Sequence, residues 1–569
     1  MTGVLMSNTR VFLLEFYLSP HRPVIEFPPH RCSMILLLAA VLFFGWVLWR
    51  FLRPSSAFEK VPGPPPKSWI SGHVKELSAR DAFGFMRMLE TVYGTVTRVK
   101  GPFGQDWLYL YDPKAVHSIL SKDQGAYDQL EWFMMANNFY LGPGLLGIRG
   151  DTHRKQRKML HPVFSVRHIR EVTPIFYRVA HNLLDAISDR VADGPRDLDL
   201  LGWMGRTALE LVSQAGIGYS LDPLTEDKTE DELAVAVKSP LFFAPESMIY
   251  HQVVTFLTKC GLPSVARFIV TNSPNRTIQD LRAAAHVLHA KSIHIVQRKK
   301  AALERGENTG GNDIMTVLLK ANTAASVQDQ LPDDQLTSQV STLLFAATDT
   351  TSNVLSRILH TLCERPDLQT KLRQEIIVAR DGDDLTFDGL HALPFLDAVC
   401  KETLRCFTPA PTAHRLAYQD VVLPFSQPIR ATDGSHLESI LVPKGSVMVI
   451  STSACNRNKA LWGEDADEFK PERWLGGLPR AVEETPIPGV YSNLMSFLGG
   501  GRACVGFQFA LLEMKVVLSL LLSHFTFEFS KDKPVYWNHS GVIYPSLEKD
   551  SDQPQMWLRV SKYTAEAAS

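Results

Sequence analysis

The sequence predicts a mainly α-helical fold with a smaller β region, preceded by one N-terminal transmembrane helix. Three observations predict it. Met34–Trp49 reads MILLLAAVLFFGWVLW, without a charge. The stretches 166–190, 278–305 and 333–363 repeat apolar residues at helical spacing. Val96–Lys100 and Trp107–Tyr111 read as hairpin strands, with Gly101, Pro102 and Gly104 at the turn.

The 569 residues allow several domains by length, but no linker enforces a split. With 45% hydrophobic and 21% charged residues the composition is globular. A formal net charge of -1 gives no basic face for nucleic acid. The seven cysteines, at 32, 260, 363, 400, 406, 455 and 504, are scattered and contain no C-x-x-C pair. This excludes a structural zinc site and a disulfide framework as readings.

Residues 34–52 just reach spanning length when Phe51 and Leu52 are counted and Arg50 snorkels. A buried core helix or a signal-peptide core would share the composition. Arg50 and Arg53, where a small-residue cleavage site would stand, favour an uncleaved anchor. Together with Lys60 they place the body on the cytoplasmic side. Residues 1–33 could be an extension from an incorrect start site. Residues 53–66 end in Val61-Pro-Gly-Pro-Pro-Pro66, a stiff hinge. Residues 67–563 are read as one folded body. Within it, 305–312 and 476–489 read as exposed loops. Gly142–Gly147 fits a dinucleotide-binding spacing, but no strand leads into it and Pro143 lacks an N–H.

Four segments carry chemistry. In Phe497-Leu-Gly-Gly-Gly-Arg-Ala-Cys-Val-Gly506, a lone cysteine sits in a glycine bend before an apolar helical run. Glycines permit close backbone approach, and a following helix start lowers a thiol pKa. The plain alternative is an incidental buried cysteine. Glu402 and Arg405 share one face of a helix, which alone means a weak surface pair. Phe345-Ala-Ala-Thr-Asp-Thr-Thr351 puts an acid and hydroxyls in mid-helix among apolar neighbours, a pattern of a kinked helix with a groove. Gly150-Asp-Thr-His-Arg-Lys-Gln-Arg157 is a basic helix, either solvated or a docking patch through Arg154, Lys155 and Lys158.

Together these segments resemble the cytochrome P450 family over nearly all of residues 61–560. Phe497, Gly500, Arg502, Cys504 and Gly506 match the haem-binding signature F-x-x-G-x-R-x-C-x-G. The resemblance implies haem b, with Cys504 as axial ligand, Phe497 packed beside the thiolate and Arg502 on a haem propionate. Glu402 and Arg405 then resemble the family's E-x-x-R, completed by Arg473 in Pro471-Glu-Arg-Trp474 as a structural network. Asp349 and Thr350 resemble the oxygen-activation motif: Asp349 relays protons and Thr350 directs heterolytic O–O cleavage. Ala347 stands where glycine is usual. Arg157 matches the family's W-x-x-x-R, with His153 in the tryptophan's place; Arg415 resembles a further propionate-binding arginine.

The resemblance implies a monooxygenase that hydroxylates or epoxidises a lipophilic small molecule with O₂. Its electrons come from a separate NADPH–cytochrome P450 reductase, at the endoplasmic reticulum membrane. A haem-thiolate isomerase or dehydratase acting without O₂, or a non-enzymatic haem protein, are the alternatives; the Asp349-Thr350 pair argues against the former. Trp132, Phe133, Met134, Met135, Phe139, Phe242, Phe243 and Met248 stand where the family's substrate-lining regions fall. Their apolar character suits a substrate arriving from the membrane, although core packing would explain them as well. The anchor and the His153 helix resemble fungal members, many of which tailor terpenoids or other secondary metabolites.

Overall fold

The computed structural model describes residues 57–225, 231–237, 245–306 and 312–564, with the backbone alone for 245–249, and the isolated residues 40, 41, 44 and 45. Residues 1–33, most of the anchor, residues 53–56, Phe242, Phe243 and the Met248 side chain lie outside them. Val41 and Phe44 are helical and exposed.

Helices dominate. The elements that position the site are Glu131–Leu141 (α1), Gly150–Leu160 (α2), Val166–Arg190 (α3), Arg276–Glu304 (α4), Asp333–Glu364 (α5), Pro394–Cys406 (α6) and Phe507–His524 (α7). Local chemistry sets their ends. Ser165 and Asn275 cap α3 and α4 by accepting from His168 N and Ile278 N. Asp333 and Asp334 lie in the first turn of α5, where the helix dipole favours negative charge. Pro366 then opens the following helix at the one place a missing N–H costs nothing. The periodic stretches expected at 166–190, 278–305 and 333–363 match these helices to within two residues.

The β region is smaller. Its largest sheet joins Val96–Lys100 (β1), Asp106–Leu110 (β2), Tyr127–Asp128 (β3), Thr412–Ala417 (β4) and Val447–Ser451 (β5), in the order β1-β2-β5-β4-β3. The hairpin β1–β2 is antiparallel, with Val96 opposite Leu110. Its second strand begins one residue before the expected Trp107. Pairs β3–β4 and β4–β5 are also antiparallel, which sets Asp128 opposite Leu416 and Arg415 opposite Met448. The sequence at 476–489, expected to be all loop, contains the short helix Arg480–Glu484.

The principal core runs through α3, α5, α6 and α7. Among the described residues α7 alone is long and apolar enough to pass for a membrane span, with mean hydropathy 1.4, yet most of it is buried in the fold. An apolar helix all round is what a core helix looks like.

Burial also leaves a pH signature. His153, His251, His289, His414 and His539 are pushed down to about 4, and His360 to about 3, chiefly by burial. Between pH 6.5 and 4 the unfolded chain therefore binds more protons than the folded one, so stability rises with pH across that window. Each such imidazole opposes folding by up to about 3 kcal/mol below pH 4. Urea denaturation at a series of pH values should show the midpoint falling steadily from pH 6.5 to 4.5. A flat profile would contradict this reading.

Candidate active site

The cysteine bend is built by close backbone packing. Cys504 N donates to Phe497 O at 2.8 Å, folding the loop back on the strand Leu494–Gly499. Gly500 has φ +67°, and a Cβ there would lie 1.6 Å from Leu120 O. Only glycine meets both conditions. Gln124 Oε1 accepts from Gly501 N at 2.9 Å and tethers the bend from outside. Gly506 is different: its φ is −93°, and a Cβ there would find its nearest atom, Phe164 Cε1, at 3.6 Å. The protein itself does not require glycine at that position. Phe497 is buried, with Tyr491 and Phe507 rings at 5.9 and 6.0 Å.

Cys504 is accessible, unlike Cys363, Cys400 and Cys406, which are buried and pushed up to about 12 by that burial. The Cys504 thiol, though reachable from solvent, is also raised by the desolvation of the protein around it, but the Gly506 N–H and the Arg157 charge pull it back. Accessibility together with two thiolate-stabilising partners distinguishes it from an inert core cysteine.

Helix α5 packs on α7, the helix that starts from the cysteine bend. It is buried over most of its length, yet Ala346 and Asp349 are exposed and Thr350 half-buried. These positions are i, i+3 and i+4, one stripe on one face. Thr350 Oγ1 donates to Ala346 O at 2.9 Å, Thr348 Oγ1 to Leu344 O at 2.8 Å and Asn353 Nδ2 to Asp349 O at 2.7 Å. Side chains thus bond backward all around the motif, while the helix stays continuous from Asp333 to Glu364.

Behind this layer, Glu402 and Arg405 are fully buried and bidentate, Nε to Oε2 and Nη2 to Oε1 both at 2.8 Å. Arg405 also donates to the carbonyls of Asn456, Ala466 and Glu468. Arg473 Nε lies 3.6 Å from Glu402 Oε1, and its Nη1 is 3.1 Å from Asp465 Oδ1. Glu402 accepts further from Lys470 N and Trp474 Nε1, both at 2.9 Å. The sequence names Glu402, Arg405 and Arg473 as members and gives Trp474 only as the end of Arg473's motif; Asp465 and the Lys470 amide were not legible, because one carries no pattern and the other is a backbone group.

A cluster of cations lies beside the bend. Arg415 is buried on β4, its Nη1 on His414 O at 2.8 Å and its Nη2 without a hydrogen-bond partner. Arg157 Nη1 donates to Ala503 O at 2.6 Å, and His153 is buried. Arg502, by contrast, has partners within the protein: Asp128 Oδ1 at 2.7 Å, Ile148 O at 2.8 Å and Leu145 O at 3.2 Å. Of the basic α2 residues, Lys155 is held by the carbonyls of Gln328 and Gln330, and Arg154 by Asp151.

A thiol in a glycine bend, an acid–threonine stripe and a buried Glu–Arg pair now stand in one fold. The profile of the Cytochrome P450 family matches residues 62–548. The chain belongs to the cytochrome P450 family. Cytochrome P450 monooxygenase 91 of Postia placenta is 44% identical over 541 residues, covering 93% of this chain and 99% of its own. Cytochrome P450 monooxygenase 81 of the same fungus is 45% identical, covering 92% and 96%. Ganoderic acid synthetase CYP5150L8 of Ganoderma lucidum is 42% identical, covering 94% and 99%. Cytochrome P450 proteins bind haem b, and this chain is a haem-thiolate monooxygenase of that family. Its residues fit the cofactor. Arg415 Nη2 is a buried donor needing an acceptor, which a haem propionate supplies. Cys504 is an accessible thiol with partners that favour its anion.

Proposed function

We propose that this cytochrome P450 is anchored in the endoplasmic reticulum membrane by residues 34–52, with its catalytic body in the cytoplasm. There it oxidises a lipophilic small molecule of secondary metabolism, terpenoids included, with electrons from NADPH–cytochrome P450 reductase. The observation that carries the oxygen-dependent reading is the accessible stripe Ala346, Asp349 and Thr350 on an otherwise buried helix. Haem b supplies oxygen activation when held by Cys504, with Arg415 and Arg157 taking its propionates. Asp349 is the acid that relays protons to the site, and the Thr350 hydroxyl can turn from Ala346 O to pass one on. Ala346, with no side chain beyond its methyl, leaves the stripe open.

The lipophilic reading is supported by a cavity of ≈ 340 Å³ between α1, the helix Pro245–Lys259, α4 and the start of α5, with Glu131, Lys259 and Asp334 as charged neighbours and an apolar lining of Met134, Met135, Phe139, Val254, Ile278 and Leu281. Three of these belong to the stretch that the sequence marks as substrate-lining. Trp132 and Phe133 instead pack against a neighbouring core cluster. The terpenoid reading draws on similarity to a relative named for ganoderic acid synthesis.

Expression with a reductase under ¹⁸O₂, followed by extraction of lipophilic products, tests the proposal. One labelled oxygen per product is expected; NADPH-independent, unlabelled rearrangement would refute it. Thr350→Ala should keep NADPH consumption within a few-fold while product per NADPH falls about tenfold, the missing electrons appearing as hydrogen peroxide, since proton delivery is typically worth 10²–10⁴ in rate. Resistance of the full chain to alkaline carbonate extraction, lost on deleting residues 1–52, checks the anchor.

A further inference from the structure

Asp128 places a carboxylate where the cofactor needs cations. It ends β3, opposite Leu416 on the next strand, and its charge acts on the neighbouring Arg415. Its Oδ1 accepts from Gln129 N at 2.8 Å and from Arg502 Nε at 2.9 Å, and lies 2.7 Å from Arg502 Nη2. Arg502 also donates to Leu145 O and Ile148 O, so this one guanidinium ties the cysteine bend to the chain between α1 and α2. Arg415 and Arg157 both feel the Arg502 charge, and Arg415 also feels Asp128, so the four groups form one electrostatic cluster. His153, pushed down to about 4, is neutral at pH 7. Two further cations are peripheral and exposed: Arg154 is paired with Asp151, and Arg149 stacks on Tyr418. Solvent screens both.

The inner cluster therefore holds three guanidiniums and one carboxylate, a net charge of +2. Haem b carries two propionates. Without Asp128 the cluster would be left at +3, with Arg415 and Arg502 repelling each other at a buried site. Resting on the haem reading above, we propose that Asp128 is a positioning residue of the cofactor pocket. It holds Arg502 on the Leu145–Ile148 segment and offsets one positive charge of the arginine cluster that faces the two propionates.

The test uses the full-length holoenzyme and the variants Asp128→Asn and Asp128→Glu. Removing one negative charge near the iron favours its reduced form, so Asp128→Asn should shift the ferric/ferrous midpoint potential positive. Asp128→Glu should return it toward wild type. Transfer of haem to apomyoglobin should be several-fold faster in Asp128→Asn. It should change little further when Arg502→Gln is added, because the two residues act as one unit. A folded Asp128→Asn protein with wild-type potential and haem release overturns the proposal, as do effects that add independently with those of Arg502→Gln. Should Asp128→Asn not accumulate, Asp128→Ser supplies the same neutral change for both readouts. Failure of the haem reading itself shows separately, as a wild-type protein without a thiolate-type CO spectrum.

Discussion

Cys504→Ser is expected to abolish the thiolate-type Soret band of the reduced, CO-bound protein and to leave no measurable oxygen insertion. The reason lies in ligand chemistry. A thiolate pushes electron density onto iron and favours O–O cleavage; a serine hydroxyl stays protonated and does neither. The loop should survive the change, since the Cys504 N to Phe497 O bond and the Gly500 turn are backbone features. The variant should therefore match wild-type apoprotein in far-UV spectrum and thermal midpoint while losing the spectroscopic signature. Cys363, Cys400 and Cys406 cannot take over, because they are buried, with thiols pushed up to about 12. Retention of the thiolate band in Cys504→Ser would sink the assignment.

Loss of the buried ion pair should cost the fold itself. Arg405→Ala leaves Glu402 as a fully buried carboxylate without its bidentate partner, facing Lys470 N, Trp474 Nε1, the Cys406 thiol and the more distant Arg473. Glu402→Gln leaves Arg405 charged and without its bidentate partner. Removing one member of a buried pair typically costs about 3–5 kcal/mol, a large share of the roughly 5–15 kcal/mol that stabilises a whole protein. Both variants should yield little haem-containing protein and a clearly lowered urea midpoint. Arg405→Lys should not rescue, because a point charge cannot satisfy Glu402 and three carbonyls at once. Arg473→Leu should cost much less: its contact with Glu402 is 3.6 Å, and its closer carboxylate is the half-exposed Asp465. Equal losses at Arg405 and Arg473 would contradict this ranking.

The elements whose pattern is local were legible in the sequence. Helical periodicity located α3, α4 and α5 because each must bury a face, and the Gly101-Pro102 and Gly104 turn between two short strand-like runs marked the β1–β2 hairpin. The glycine bend could be read because Gly500 answers to a backbone constraint that no other residue meets. The family resemblance in that bend, in Glu402–Arg405 and in Asp349–Thr350 placed the chemistry along the chain. What tertiary structure decided was partnership. Arg502 is assigned by resemblance to a propionate, but folding brings Asp128, some 370 residues earlier, within 2.7 Å of it. Arg415, the weaker match by sequence, emerges with the buried unpartnered donor. Asp465 joins the network through Arg473 without any motif to announce it, and Trp474, the last residue of Arg473's motif, proves to donate to Glu402. The apolar run of α7 would pass for a membrane span by composition, and only the helices packed around it show that its solvent is protein. Side-chain periodicity follows from the chain's own geometry, whereas the partner of a charge is whatever the fold sets beside it.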